Sequence, residues 1–160
     1  MELTKRFSSL GEFAAFAGTL ALRKLAADVQ GRSVIGHSLA VAVRERIGDA
    51  AMLPPPLADA TVADRVAKGF SPNETLLRTG ELKRSIGWEH TGVLSTVVGS
   101  RDPKAVYHEL GTATIPRRPF LAATADEKNR EMFAKYMLAF SLRWSTGQNT
   151  TIAMTEAEAT

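Results

Sequence analysis

Three consecutive prolines at positions 54–56, in MLPPPLADAT, constrain this chain more than any other feature. Each fixes φ and lacks an amide hydrogen, so neither a helix nor a central strand passes through them. The run predicts a stiff, extended connector; the same conformation also suits a peptide that docks in an aromatic groove. The residues before it read as helical, and those after it alternate between short elements of different kinds. At 160 residues, 44% hydrophobic and 23% charged, the chain has the size and balance of one globular domain.

Upstream, SLGE places Ser9 and Glu12 as a capping box. Leu10, Phe13, Ala17, Leu20 and Ala21 then recur at helical spacing, predicting a helix that runs to Gln30 and stops or bends at Gly31. A second helix is predicted over Ser33 to Ile47, closed by Gly48. The weakly charged stretch Leu10–Leu22 falls short of a membrane span, and no cleavage pattern comes after it.

Downstream, Val62 to Phe70 is a short amphipathic stretch. SPNE, residues 71–74, reads as a second capping box, opening a turn that ends near Thr79 and Gly80. Two antiparallel strands are predicted next. Ile86, Trp88 and His90 share a face of the first, Val93 to Val98 form the second, and Thr91-Gly92 turns between them. Lys104–Leu110 is compatible with helix or strand. TADE, residues 124–127, opens a last helix that carries the stripe Phe133, Met137, Phe140 and Trp144 and ends at Gly147. The fold class is therefore α+β, a small antiparallel sheet against long N-terminal helices and a C-terminal helix, with residues 1–145 as one domain. The segment 146–160 has little to bury, so a neighbouring subunit is expected to order it.

Candidate chemistry is thin. The chain has no cysteine, which removes disulfides and thiolate metal sites. His108-Glu109 begins an H-E-x-x-H pattern, but its second histidine position is Thr112, and His37 and His90 belong to other elements. A hydrolase reading would pair His108 with Ser85 or Ser100 and orient it with Glu109 or Asp102, although no nucleophile elbow surrounds either serine. Gly80 and Gly111 lack phosphate-loop spacing and read as turn glycines. Arg117 and Arg118, held extended by Pro116 and Pro119, should project to opposite sides, one toward acidic groups on a partner and the other toward DNA or the fold itself. With Lys128 and Arg130 they define a nucleic-acid-binding alternative, but the net charge of +3 is modest for one. Phe120, beside them, suits an anchor for a core or a neighbour.

The segments LLRTGELKRSI, VVGS, VYHELGT and IPRRPFL, within residues 76–121, resemble in order and spacing the tail-completion or virion-morphogenesis family of tailed bacteriophages, also called head–tail joining proteins. The matching positions are Thr79, Gly80, Leu82, Ser85, Ile86, Val98, Gly99, Tyr107, Gly111, Thr112, Pro116, Arg118, Pro119 and Phe120. The resemblance implies a non-catalytic virion protein that needs no cofactor. It would form a ring, hexameric in such families, at the neck between the capsid connector or adaptor and the tail tube, or close the head-proximal end of the tail tube as a tail terminator. Assembly would take place in the host cytoplasm, with DNA passing through the lumen. The implied contact residues are Tyr107, His108, Gly111, Thr112, Pro116, Arg117, Arg118, Pro119 and Phe120.

Overall fold

The computed structural model describes residues 7–147. Its elements are α1 (Leu10–Arg46), α2 (Asp59–Ala67), α3 (Glu81–Ser85), β1 (Ile86–Gly92), β2 (Ser95–Ser100), α4 (Lys104–Leu110) and α5 (Leu121–Thr146). This is the expected α+β class, dominated by helix.

The two N-terminal helices expected from the sequence are one. α1 runs unbroken for 37 residues, about 55 Å at 1.5 Å per residue. Its start is as expected: the Ser9 hydroxyl accepts from the Glu12 amide at 3.1 Å, and the Glu12 carboxylate accepts from the Ser8 amide at 2.8 Å. Gly31 is no helix stop. A Cβ there would lie 2.5 Å from the ring of Tyr136 on α5, and one at Gly36 would lie 2.6 Å from the indole of Trp88 on β1. Both glycines let another element approach α1 closely.

α5 packs antiparallel along α1, with Lys135 near Ser38, Tyr136 bonded to Asp28, and Arg143 and Gly147 at the far end beside Arg23. The hairpin lies across α1 in the register Trp88↔Val98 and His90↔Thr96. Its turn is at Val93-Leu94, beyond the expected Thr91-Gly92. Thr91 stays in the strand, its hydroxyl bonded to that of Ser95 at 2.9 Å, and a bulge between His90 and Gly92 absorbs the offset.

The core sits at the C-terminal end of α1, where Ala40, Val43 and Ile47 meet Leu53, Leu82, Ile86, Ala105 and Phe120. A two-stranded sheet gives little backbone pairing to the long connections around this core. Buried and half-buried arginines supply the donors instead. Arg46 donates to the Met52 carbonyl at 3.0 Å and pairs with Glu127 at 2.7 Å. Arg65 donates to the carbonyls of Ser71 and Leu77 at 2.7 and 2.6 Å, and Arg44 to that of Ile86 at 2.6 Å.

The SPNE segment begins no helix. Gly48 donates to the Thr75 carbonyl at 2.9 Å in a bridge, and residues 71–77 are irregular, with Leu76 in the left-handed region at φ 65°. The next helix, α3, instead starts just after Gly80 at φ 77°. Nor does TADE start α5. That helix begins at Leu121, and the Thr124 hydroxyl donates back to the Phe120 carbonyl at 2.6 Å. The expected partner-ordered tail lies outside the described residues except for 146 and 147.

Candidate interaction site

α4 resolves the ambiguity over Lys104–Leu110 in favour of helix. Asp102 opens it, its carboxylate accepting from the Lys104 amide at 2.9 Å. Gly111 at φ 77° ends it, with space so tight that a Cβ would lie 3.0 Å from the Arg117 amide nitrogen. The chain then folds into a compact loop. Thr112 donates its amide to the Ile115 carbonyl at 2.8 Å, and its hydroxyl accepts from the Ile115 amide at 3.0 Å. Arg118 donates its amide to the His108 carbonyl at 2.7 Å, stitching the loop back onto α4.

This loop divides the predicted contact residues into an inner and an outer set. Arg117 and Arg118 do project to opposite sides. Arg118 is buried, donating to the Pro55 carbonyl at 3.1 and 2.9 Å and to the Pro56 carbonyl at 3.1 Å. Desolvation lowers its pKa from the ordinary arginine value. The proline run is thus a connector held by a guanidinium of the motif itself. Phe120 is 0% exposed and belongs to the core, so it anchors the loop to its own fold. Neither side chain is free to touch a partner.

Glu109 has a role that the sequence does not signal. Its carboxylate accepts from the amides of Phe120, Leu121 and Ala122 at 2.9, 3.0 and 2.9 Å. An acidic group at that point satisfies amides with no intrahelical acceptor and complements the positive end of the helix dipole. It caps α5 from α4, across the whole intervening loop, and a local capping pattern cannot reveal that.

The outer set is exposed. Tyr107, Thr112, Pro116 and Arg117 face solvent, and Val106 and Leu110 extend the apolar outer side of α4. Arg117 is steadied by its Nε donating to the Glu109 carbonyl at 3.2 Å. Between this loop, the proline run and Thr79–Leu82 lies a cleft of about 600 Å³, lined among others by Pro56, Arg78, Lys104 and His108. His108 is half-buried, and its Nδ1 is buried without a partner among the described residues. Burial first, and then the Arg118 guanidinium, holds this imidazole below its ordinary value, with Asp102 pulling the other way.

The two serines considered with His108 are occupied elsewhere. The Ser85 hydroxyl donates to the Leu82 carbonyl at 2.7 Å and lies 2.6 Å from the Ser100 hydroxyl, which accepts from the Asp102 amide at 3.0 Å. Glu109 faces α5, not the imidazole. No hydrogen bond joins His108 to Ser85 or Ser100 among the bonds that those hydroxyls make. Among the described residues no three His, Asp or Glu side chains are grouped to hold a metal, and no helix is long and apolar enough to cross a membrane.

The basic quartet is only partly exposed. Arg118 is internal and Lys128 pairs with Glu131 at 2.9 Å, leaving Arg117 and Arg130 outward. Thr79, Gly80, Leu82, Ser85, Ile86 and Gly99 are structural: the first two lead into α3, Leu82 and Ile86 are core, and Gly99 pairs with Gly87 in the hairpin. No protein-family model, curated protein or solved structure matches the chain.

Proposed function

We propose that the chain is a structural subunit of a tailed-phage virion, acting by adhesion in a ring at the head–tail junction and carrying out no chemistry. The resemblance over residues 76–121 motivates this reading. One structural observation carries it: the resembling motifs fold into a single platform, locked from within and bare on its outer side. Arg118, Glu109 and Phe120 fix the inner half to the proline run, α5 and the core. Tyr107 on α4 and Thr112, Pro116 and Arg117 on the loop after it stand outward, the loop already held by its own hydrogen bonds. Pre-organisation of this kind removes the entropic cost of ordering a contact surface.

In this reading the platform docks on the ring above or below, the tail tube on one side or the capsid adaptor on the other. The ring is hexameric by resemblance, and DNA passes through it. The modest net charge agrees with a conduit that does not grip its cargo. The double variant Tyr107→Ala, Arg117→Glu alters only exposed side chains. It should fold as the parent does, yet leave filled heads and finished tails unjoined in electron micrographs of lysates. Joined, infectious particles at parental yield would sink the assignment.

A further inference from the structure

We infer that neighbouring copies of this chain join through two helix faces left largely uncovered by the described residues, the outer side of α5 on one copy seating on the outer side of the N-terminal half of α1 on the next. The inference deepens the ring reading and rests on it only for closure of the array.

On α1, Gly11, Ala15, Gly18, Leu22, Leu25 and Val29 recur at alternating spacings of four and three. That is the seam of a helix meant to pack along another helix. Further on, the same seam passes through Gly36, Ala40 and Val43, where the hairpin and core cover it. Between Gly11 and Val29 no described residue covers it, with Leu22 70% exposed.

Gly18 makes the point most sharply, because a glycine inside a helix costs about 1 kcal/mol relative to alanine. Gly31 and Gly36 have their reason in Tyr136 and Trp88, but a Cβ at Gly18 would meet nothing within 4 Å among the described residues. No described part of its own chain requires it to be small.

α5 carries the complementary seam. Phe133, Met137, Phe140 and Trp144 repeat at four, three and four; Phe133 is 63% exposed, and the Phe140 and Trp144 rings stack at 6.4 Å. At about 100° per residue, the α1 seam lies opposite the side bearing Ala27 and Gly31, which faces α5. The α5 seam lies about 120° around from buried Met132 and Ala139. The α1 seam therefore faces away from α5, and the α5 seam lies to one side of the pair, its Phe140 ring stacked on Tyr136 at 5.9 Å.

The α5 seam presents large rings and a thioether; the α1 seam presents glycine and alanine hollows between leucines. Within the chain the same two helices already pair in this manner, with Tyr136 of α5 over Gly31 of α1. A second contact of that kind between copies matches bulk to hollow, whereas joining like seams would set ring against ring or hollow against hollow. Because it uses two different faces, the contact is heterologous, and each added copy presents a fresh seam to the next.

The test uses full-length protein with one seam spoiled at a time, Gly18→Leu on α1 and Phe133→Glu on α5. Both sites are exposed, so each variant should keep the parental circular-dichroism spectrum, and Gly18→Leu should melt no lower than the parent at concentrations dilute enough for the parent to be monomeric. In analytical ultracentrifugation the parent should form multimers and each variant alone should be monomeric. An equimolar mixture should give a heterodimer of twice the chain mass and nothing larger, since each variant retains the seam its partner lacks. A parent that stays monomeric at the highest concentration reached, a variant that assembles like the parent, or a mixture that stays monomeric would overturn the inference. Parental multimers that are broken by both variants yet never close into rings would leave the seams standing and count against the ring reading alone.

Discussion

A carboxylate that accepts three backbone amides from another helix decides where α5 begins. Glu109 sits on the last turn of α4, and its two oxygens take the amides of Phe120, Leu121 and Ala122. Replacing it with alanine leaves those donors without a protein acceptor and should cost about 1–2 kcal/mol, as loss of a strong N-cap does; urea unfolding of E109A checks this. Glutamine, which keeps an acceptor oxygen, should recover part of the loss.

His108 gives a pH signature from the neighbouring position. Its imidazole is held below the ordinary 6.5 by burial and Arg118, so the unfolded chain takes up this proton before the folded one does. Above that range the group adds no pH dependence. As pH falls through 6.5, the unfolded state gains protons the folded state lacks, and stability declines. His108→Gln should therefore lose less melting temperature than the parent between about pH 7 and pH 5. Parallel slopes would show that the ring titrates freely in the fold. Neither role is legible in the motif, because a His-Glu pair reads alike whether it faces a substrate, a helix end or a cleft.

Among the elements, α1 and α5 show most clearly where sequence pattern works and where it stops. The helical periods, the Ser9 cap, the Gly147 end and the two strands are local properties, and the sequence displays them. Gly31 looks like a stop because the cause of its smallness, Tyr136, is distant in sequence and adjacent in space. The SPNE and TADE boxes mislead for a related reason: the Thr75–Gly48 bridge and the Glu109 cap, both from distant segments, satisfy the backbone differently. The stripe Phe133–Trp144 is the apolar face its spacing predicts, but it lies outside its own chain's core. The glycines of α1 yield a paired prediction. Gly31→Ala should destabilise by about 1–3 kcal/mol through overpacking against Tyr136. Gly18→Ala, in open space, should stabilise the monomer by up to about 1 kcal/mol through helix propensity. Thermal melts of the two variants at dilute concentration should shift in opposite directions.

At the scale of the whole molecule, a small core at one end of a long helix pair leaves much apolar surface uncovered by the described residues. The outer side of α4, the hairpin tip at Val93 and Leu94, and the two helix seams are all exposed. Monomeric soluble proteins rarely carry so many such patches without a partner. The α+β class is legible in the proline break and the change of period on either side of it. The inner pinning of the motif by Arg118 is not, since a sequence cannot show which carbonyls a guanidinium reaches. Copies of this chain adhering side by side are the centre of the functional reading. Native mass spectrometry of the purified full-length protein tests that most directly. Side-by-side adhesion predicts one closed multimer, an integer multiple of the chain mass that grows no further as concentration rises. A species that remains a single chain at every concentration would contradict it.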